Sequence, residues 1–375
     1  MQRDQHSRYM SMALKLARKA EGMTSPNPLV GAVLVKGGKI IGKGYHKMAG
    51  LPHAEIEAIA DAERHNHKVK GATLYVTLEP CCHEGKRTPP CVNTIIEKGI
   101  KRVVVGAGDP NPKVCGNGFS ILRDEGVEVI PFVLEEKALR LNEAYNKYIT
   151  SGMPFVTLKL AATLDGKIAA STGDSKWIGS ENQRKLAHRL RSASDAVVVG
   201  VGTVLKDDPR LNARLPGREI RQPVPVILDR TLRTPPRSSV FGTHGTVIIA
   251  TVKPADPAKK KRLEEAGARV LEVGRDRNGL PDMKKLMREL ARNEIVSVLV
   301  EGGGKVAANA LKAGIVDKTA FFYAPKILGG DGVGMIDGLG IESVRNAIQI
   351  HDIKITKLGE ELMVEGYLKK KEAGR

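Results

Sequence analysis

One histidine and two cysteines stand at spacings typical of a catalytic metal site. His53 is followed two residues later by Glu55, and Cys81 and Cys91 each follow a proline. An imidazole and two thiolates make a three-ligand zinc site whose open fourth position holds a water. Zinc lowers the pKa of that water to about 7, and a carboxylate that does not bind the metal can carry its proton to a leaving amine. We therefore predict that His53, Cys81 and Cys91 bind zinc and that Glu55 is the catalytic proton shuttle.

The order of these residues matches a zinc deaminase pattern of His-x-Glu, then Pro-Cys, then a second cysteine. A structural zinc or a set of unrelated reduced thiols is the alternative. That alternative requires Glu55 and both Pro-Cys pairs to coincide by chance. Cys82 is expected to point away from the metal because it neighbours Cys81, and Cys115 is expected to be a core or surface thiol.

A second candidate site begins at Glu301, where three consecutive glycines are followed by Lys305. Glycines between a strand and a helix let backbone amides approach a pyrophosphate, which the helix N-terminus then stabilises. The run matches neither the full dinucleotide fingerprint nor a phosphate-binding P-loop. A dinucleotide site and a plain tight turn therefore both remain open from this segment alone.

Hydrophobic periodicity predicts the elements that must position the first site. Residues 3–21 predict an amphipathic helix, and Gly37-Gly38 predicts a hairpin turn between strands 31–35 and 39–41. A helix is predicted at 53–65, after a proline that is acceptable at a helix start. The remaining predictions are strands 72–78, 102–105 and 127–133 and helices 92–98 and 121–125. This order favours an α/β domain with a mixed sheet.

The segment 145–154 carries little periodicity and contains Ser151-Gly152, so we place a domain boundary there. The predicted domains are residues 1–148 and 149–375. Strands of the second domain are predicted at 156–160, 196–199, 224–228, 246–250, 269–273, 296–300 and 319–323. Its helices are predicted at 182–191, 258–266, 283–292 and 306–313. The second domain is therefore also α/β.

Composition limits the class of protein and the partners. The 375 residues carry 60 Lys and Arg against 42 Asp and Glu, a net charge of +18 that suits nucleic acid, phosphorylated small molecules or a solvated surface. Aromatic residues are only 4%, which offers few platforms for stacked bases. The sequence has no apolar run that predicts a membrane span or a signal peptide, and four cysteines are too few for a disulfide framework. A cytoplasmic protein is expected.

Roughly the first 145 residues resemble the deaminase domain of the bifunctional riboflavin-biosynthesis deaminase-reductases called RibD or RibG. The matching segments are 24–31 (TSPNPLVG), 44–46 (GYH), 53–55 (HAE) and 78–83 (LEPCCH). The resemblance implies a cytidine-deaminase-like fold and the zinc and proton-shuttle roles given above. It also implies that Asn27 and His46 contact a pyrimidine substrate, and that its phosphate is approached by His83, Lys86 and Arg87. A turn residue between prolines is the alternative for Asn27, and a satisfied core or surface histidine is the alternative for His46.

Residues 155–323 resemble the reductase domain of the same family, which has a dihydrofolate-reductase-like fold and uses NADPH. The matching segments are 159–168 (KLAATLDGKI), 173–178 (GDSKWI), 200–211 (GVGTVLKDDPRL) and 301–305 (EGGGK). The resemblance implies an NADPH site lined by Ala161, Trp177, Thr203, Asp207, Gly303, Gly304, Lys305, Val306, Ala307, Ala308 and Asn309. It implies a substrate site of Lys159, Ser175, Arg191, Leu211, Arg214 and Glu301. Arg191 and Arg214 suit the substrate phosphate by charge and bidentate geometry. The alternatives are a core tryptophan at Trp177 and a structural ion pair between Lys159 and Asp207.

Together these features predict a bifunctional enzyme of riboflavin biosynthesis. Its first domain would hydrolyse an amino group from a phosphoribosylaminopyrimidine, and its second would reduce the ribosyl chain to ribityl. The predicted cofactors are Zn²⁺ and NADPH, and the predicted partner is a small phosphorylated pyrimidine, with no nucleic acid and no membrane; a homo-oligomer is left open. One alternative, motivated by the charge of +18, is a zinc nucleobase deaminase acting on RNA. Another is a deaminase whose second domain senses nucleotides without catalysis.

Overall fold

The computed structural model describes residues 2–82, 89–217, 220–242 and 245–368. The chain divides into two compact units, Met1–Met153 and Pro154–Arg375. This division lies five residues beyond the predicted boundary at 148/149, within the segment 145–154 that appeared aperiodic. The helix Glu143–Ser151 occupies most of that segment, and it ends because Gly152 adopts a left-handed conformation with φ +64°.

The first unit contains a mixed five-stranded sheet. Its strands, in chain order, are β1 Gly31–Lys36, β2 Lys39–Tyr45, β3 Thr73–Leu78, β4 Arg102–Ala107 and β5 Glu128–Ile130. The spatial order is β2-β1-β3-β4-β5, with β1 antiparallel to β2 and β3, and β3, β4 and β5 mutually parallel. Gly37 and Gly38 form the predicted hairpin turn with φ of +56° and +74°. The predicted mixed pairing is thus confirmed.

Helices cover both faces of this sheet. They are α1 Gln2–Ala17, extended by a 3₁₀ turn at Arg18–Ala20, then α2 Ala54–Arg64, α3 Cys91–Glu97, α4 Asn117–Asp124, α5 Glu135–Leu141 and α6 Glu143–Ser151. Alternate residues of β1 point to opposite faces, so Leu34 packs with α2, α3 and α4 while Val33 packs with α1. The zinc-site segments at the starts of α2 and α3 therefore lie on the same face.

The end of the first unit differs from the prediction. The strand predicted at 127–133 is only three residues long, and α5 and α6 follow it. Phe132 and Leu134 have φ of +64° and +56°, a left-handed conformation that a continuing strand does not allow. Nothing in the residue types at these two positions favours that conformation, so the sequence pattern did not reveal it.

The second unit is built on a nine-stranded sheet. Its strands are β6 Phe155–Thr163, β8 Ala196–Gly200, β9 Val224–Leu228, β10 Val247–Thr251, β11 Ala268–Glu272, β12 Ser297–Val300, β13 Lys318–Ala324, β15 His351–Leu358 and β16 Glu361–Tyr367, while β7 Lys167–Ala169 and β14 Val333–Gly334 form a separate ribbon. The order is β11-β10-β9-β8-β12-β6-β13-β16-β15. All neighbours from β11 to β13 are parallel, and β16 and β15 close one edge as an antiparallel hairpin.

The helices of this unit are α7 Glu181–Ser192, α8 Val201–Asp207, α9 Pro257–Glu265, α10 Met283–Arg292 and α11 Gly304–Lys312. The side chains of Ser180, Asp256 and Asp282 cap α7, α9 and α10 by accepting backbone N–H bonds. The sequence analysis missed α8, which is short and contains a glycine, and the β15–β16 hairpin. No helix among the described residues has the length and apolar character needed to cross a bilayer.

Candidate active sites

The three predicted metal ligands lie together in the first unit. His53 is the N-cap residue of α2, Cys81 follows β3, and Cys91 is the first residue of α3. The His53 Nδ1 atom lies 3.2 Å from Cys91 Sγ and 3.4 Å from Cys81 Sγ. The three ligand atoms all lie within 4.8 Å of one another, and both thiols are buried. One imidazole and two thiols around a single point are a donor set that suits zinc.

A hydrogen bond between the two thiols shifts their pKa values in opposite directions. A hydrogen bond with Cys91, aided by His53, lowers the pKa of Cys81 to about 3. The same hydrogen bond, together with burial, raises the pKa of Cys91 well above its usual value. Because the metal ligand is the thiolate, binding of zinc would release the proton that Cys91 holds.

Glu55 lies in the first turn of α2, two residues after His53. It is only 3% exposed, and burial raises the pKa of its carboxyl, while His53 and a hydrogen bond with Cys91 act in the opposite direction. The carboxyl group is therefore next to the metal ligands without being one of the three clustered donors. This is the placement that a proton shuttle requires.

Asn27 and His46 lie beside the same cluster. The His46 ring is 2% exposed and packs edge-on against the His53 ring, with centroids 5.3 Å apart. His46 donates from Nδ1 to the Pro52 carbonyl at 3.1 Å, and Asn27 Nδ2 donates to His46 Nε2 at 3.1 Å. The backbone also joins these segments, since His46 N–H donates to the Val30 carbonyl.

The sequence analysis assigned no role to Glu79 or Asn142. Glu79, just before the Pro80-Cys81 pair, is 3% exposed and accepts N–H bonds from Gly116 at 3.1 Å and Gly118 at 3.0 Å. Burial raises the pKa of its carboxyl, and the backbone hydrogen bonds that it accepts act in the opposite direction. Asn142 bonds both the N–H and the carbonyl of Leu29, two residues after Asn27, at 2.8 and 2.9 Å. Both contacts join residues far apart in sequence, so no local pattern marks them.

The other two cysteines of this unit lie outside the ligand cluster, and the structure does not describe the residues predicted to bind the phosphate. Cys82 lies outside the ligand cluster, with Sγ 3.9 Å from the Lys113 carbonyl, and Cys115 is exposed. The three residues predicted to approach the phosphate lie outside the described residues, namely His83, Lys86 and Arg87.

A cleft of about 860 Å³ opens in the second unit at the carboxyl ends of the parallel strands. Two glycine turns line it, Gly200–Gly202 after β8 and Gly302–Gly304 after β12. A Cβ atom at Gly302 would lie 2.3 Å from the Val306 Cβ, so no side chain fits there. A Cβ atom at Gly303 would meet nothing closer than 4.0 Å, which leaves its backbone open to the cleft. These features suit a dinucleotide whose diphosphate meets the N-terminus of α11.

Most of the predicted NADPH residues line this cleft, and four do not. The lining includes Thr203, Asp207, Gly303, Gly304, Lys305, Val306 and Asn309. Ala307 and Ala308 are buried on the inner side of α11, and Ala161 packs against the buried side chains of Ala320, Phe322 and Met363. Trp177 is 64% exposed, with the Arg184 guanidinium 4.6 Å from its ring centre, so the core-tryptophan alternative is wrong.

Glu301 and Arg191 form the polar centre of the predicted substrate site. Arg191 donates to both carboxylate oxygens of Glu301, from Nε at 3.0 Å and from a terminal nitrogen at 2.6 Å. Burial raises the pKa of Glu301, but Arg191 and Lys159 reverse the effect and hold it below its usual value. Burial lowers the pKa of Lys159, which faces Glu301 electrostatically and forms no ion pair with Asp207 among the described residues. The alternative pairing of Lys159 with Asp207 is therefore wrong.

The remaining predicted substrate residues surround this pair. Ser175 lines the cleft, and Arg214 is exposed. Leu211 is 2% exposed and packs in the hydrophobic core. Leu211 adopts a left-handed backbone conformation, with φ +52°. The carbonyl of the next residue, Asn212, accepts a hydrogen bond from Arg191 at 3.2 Å.

His188 is a further residue of this region that the sequence analysis missed. Its Nδ1 atom accepts the backbone N–H of Arg214 at 3.3 Å. Burial, Arg214 and Arg191 lower the pKa of His188 to about 4, while the Asn212 carbonyl and Glu301 act in the opposite direction. The imidazole is therefore neutral near pH 7. Its position one helical turn before Arg191 on α7 is the signal that could have identified it.

Comparisons with known proteins agree with this arrangement of two sites. The family described as cytidine and deoxycytidylate deaminase zinc-binding region matches residues 3–107, and the RibD C-terminal domain matches residues 154–364. The riboflavin biosynthesis protein RibD of Aquifex aeolicus is 47% identical, covering 97% of this chain and 99% of that protein. The protein of the same description from Escherichia coli is 38% identical, covering 94% of this chain and 97% of that protein.

A solved structure from Thermotoga maritima is also similar over nearly the whole chain. It is described as a diaminohydroxyphosphoribosylaminopyrimidine deaminase and 5-amino-6-(5-phosphoribosylamino)uracil reductase, and it is 40% identical with a TM-score of 0.86. The similarity covers 98% of this chain and 99% of that one.

A cytidine-deaminase-like unit with a zinc-type donor set, followed by a dihydrofolate-reductase-like unit, defines a bifunctional deaminase and reductase. Zinc and NADPH are the cofactors of the two units. The chain belongs to the RibD family of riboflavin biosynthesis proteins. The fold class and the resemblance predicted from sequence are confirmed.

Proposed function

We propose that this chain performs two successive reactions of riboflavin biosynthesis. The first unit hydrolyses the amino group of diaminohydroxyphosphoribosylaminopyrimidine, and the second reduces the product, 5-amino-6-(5-phosphoribosylamino)uracil, with NADPH. The observation that carries the proposal is the clustering of His53, Cys81 and Cys91 beside the buried carboxyl of Glu55. The glycine-lined cleft of the second unit supplies the complementary site for reduction.

In the deaminase site, each side chain has a task that its geometry supports. His53, Cys81 and Cys91 would hold zinc, which would supply an activated water as the nucleophile at neutral pH. Glu55 lies beside these ligands, and the raised pKa of its carboxyl brings it closer to the operating pH, so this carboxyl can hold the proton that the leaving amine needs. Asn27 and His46 orient the pyrimidine ring, and their mutual hydrogen bond fixes both side chains.

In the reductase site, the glycine turns and the N-terminus of α11 bind the diphosphate of NADPH, which supplies the hydride. Glu301 and Lys159 face the ribosyl chain. Arg191 uses its Nε and one terminal nitrogen to donate to the two carboxylate oxygens of Glu301, so its role is to position Glu301. The exposed guanidinium of Arg214 is the better candidate to bind the substrate phosphate.

The substrate proposed here is a small phosphorylated pyrimidine rather than a nucleic acid. The pyrimidine-directed family supports this assignment, and a few convergent cations suffice for one phosphate. We also propose a cytoplasmic location, because a zinc site built from two free thiols suits a reducing compartment.

A coupled assay tests the proposal. The phosphorylated diaminopyrimidine should release ammonia without NADPH, and NADPH should then be oxidised only after deamination. Ammonia release without any later oxidation of NADPH would favour the nucleotide-sensing alternative for the second unit. Absence of ammonia release from the zinc-loaded chain would contradict the deaminase assignment.

A further inference from the structure

Glu79 is a buried carboxylate of the first unit that none of the proposed catalytic roles uses. It directly follows β3, lies two residues before the proposed zinc ligand Cys81 and is only 3% exposed. Its two oxygens accept three backbone N–H groups from the loop after β4 and the start of α4, namely Asp109 at 3.3 Å, Gly116 at 3.1 Å and Gly118 at 3.0 Å. Several N–H donors on one carboxylate fix the two chain segments that it joins.

These bonds connect the ends of two neighbouring parallel strands. Leu78 of β3 pairs with Ala107 of β4, and the Glu79 N–H donates to the Ala107 carbonyl at 2.9 Å. Beyond this point the β4 chain continues as a loop, and the Glu79 side chain bonds that loop. The side chain thus extends the connection between the two strands past their backbone hydrogen bonds, up to the segment that carries Cys81.

The start of α4 also approaches the residue between Glu79 and Cys81. A Cβ atom on Gly118 would lie 2.4 Å from the Pro80 carbonyl oxygen, so any side chain there would force one of the two segments to shift. Cys81 in turn accepts the Cys91 N–H on its Sγ atom at 3.4 Å. The start of α4, the segment of Cys81 and the start of α3 therefore form a continuous series of contacts, and a shift of α4 would move the Cys81 thiol.

The simpler interpretation is that Glu79 only caps α4. Its bonds to Gly116 and Gly118 are those of a capping side chain, and the N-cap residue Gly116 has no side chain of its own for this task. The bond to Asp109, however, lies near the start of the loop and contributes nothing to the end of the helix. Because Glu79 holds both ends of the loop, its contacts suit the fixing of the Cys81 segment rather than the helix alone.

A second group holds the same loop without belonging to the Cys81 segment. The Tyr145 hydroxyl, on α6, donates to the Asp109 carboxylate at 3.0 Å, and the same carboxylate accepts the Asn111 N–H at 2.9 Å. Tyr145 and Glu79 therefore both stabilise the loop, but only Glu79 is joined through the backbone to Cys81. This difference provides a matched pair of positions for an experiment.

We propose that Glu79 is a positioning residue of the deaminase site, which fixes the Cys81 thiolate in the geometry that zinc requires. Residues that orient metal ligands typically contribute about tenfold to a hundredfold in metal affinity or activity. This inference rests on the proposed deaminase function, and it concerns how the chain holds the metal rather than the reaction that the metal serves.

The rate of zinc release from the full chain tests the proposal. Glu79→Gln keeps the size of the side chain but directs an N–H donor at backbone N–H groups that need an acceptor. We expect this variant to release zinc to a chromogenic chelator about tenfold faster than the unaltered chain. Gly118→Ala should have the same effect, because its methyl group forces α4 and the Pro80 carbonyl apart. This second variant keeps the test decisive if the first does not fold.

Tyr145→Phe is the matched control, since it removes the hydroxyl that bonds Asp109 and leaves the three bonds of Glu79 in place. It should release zinc at the unaltered rate even if its free energy of unfolding falls as much as that of Glu79→Gln. Cobalt-substituted protein provides a readout of ligand geometry. The visible d–d bands of the cobalt should change in Glu79→Gln and Gly118→Ala and stay unchanged in Tyr145→Phe.

Deamination kinetics add a readout that a general loss of structure would not reproduce. Glu79→Gln should lower kcat about tenfold with little change in KM, because the pyrimidine is proposed to be held by Asn27 and His46 rather than by the Cys81 segment. Zinc release and cobalt bands that are unchanged in Glu79→Gln and Gly118→Ala, or equally changed in Tyr145→Phe, would overturn the inference. If the unaltered chain holds zinc but releases no ammonia from the diaminopyrimidine, the proposed function fails, while zinc release still decides the role of Glu79.

Discussion

Glu55 is buried, which raises the pKa of its carboxyl, and it lies beside the predicted zinc ligands without being one of the three clustered donors. Replacing it by glutamine preserves its size and removes its ability to carry a proton. We expect Glu55→Gln to retain zinc and fold but to lose at least about a hundredfold in deamination rate, measured as ammonia release. Near-normal ammonia release would exclude a proton-shuttle role.

The neighbouring cysteines allow a matched comparison at the same scale. Cys81→Ser and Cys91→Ser should each lose most of the roughly one zinc per chain that three ligands predict, because a ligand thiolate is removed. Cys82→Ser should keep it, since Cys82 lies outside the cluster. Metal analysis of the three purified variants is the measurement, and zinc retained without Cys81 but lost without Cys82 would reverse the assignment.

The residues of the first site could be predicted because their chemistry is concentrated in short motifs. His53, Glu55, Cys81 and Cys91 each stand in a local pattern, and the fold brings those patterns together. His188 and Asn142 could not be found in this way. Each is hydrogen-bonded to a partner that is distant in sequence, and such a contact does not appear in local spacing.

Helix α7 contacts the segment before and at Arg214 through two side chains: His188 accepts the Arg214 N–H, and Arg191 donates to the Asn212 carbonyl. The contact made by His188 depends on pH because its imidazole can become charged. The folded pKa of His188 is about 4, below the ordinary value of about 6.5, so the unfolded chain binds more protons between these two values. His188 therefore lowers the free energy of unfolding as the pH falls from about 6.5 to about 4.

We expect His188→Asn to reduce this acid sensitivity, since the asparagine amide can still accept the Arg214 N–H but does not become charged. Denaturant unfolding at pH 7 and pH 5 should show a smaller loss of stability in the variant than in the unaltered chain. His351→Asn, on β15 of the same unit, is the control and should leave the difference unchanged. A variant with the full acid sensitivity would show that His188 is not the group responsible.

At the scale of elements, regular periodicity predicted most helices and strands, and tertiary context determined the rest. The Gly37-Gly38 hairpin and helix α10 follow directly from turn chemistry and from apolar spacing. Helices α5 and α6 did not, because Phe132 and Leu134, which precede α5, adopt a left-handed conformation that their residue types do not favour. Short α8 was missed because a glycine lies within it.

For the whole molecule, the net charge of +18 is compatible with two classes of substrate, a small phosphorylated pyrimidine and a nucleic acid. If both units act on one phosphorylated pyrimidine, removing its phosphate should lower kcat/KM at least about tenfold in both reactions, since each charge-assisted bond contributes about 1.5–3 kcal/mol. Assays with the dephosphorylated substrate measure this directly. Equal activity on it, together with strong competition by RNA at moderate salt, would instead favour a nucleic-acid deaminase.

The strand order of the second unit has a consequence for the way the chain acquires its structure. β6 is the first strand of that unit to be synthesised, yet Phe155 pairs with Ser297 and Thr157 with Lys318. In the first unit, by contrast, successive strands are mostly neighbours. Non-local parallel pairing is slow to form and leaves apolar strand edges unpaired in the meantime. During synthesis, β6 therefore has no partner strand until β12 and β13 have been made, and the deaminase unit can complete its sheet before the reductase unit does.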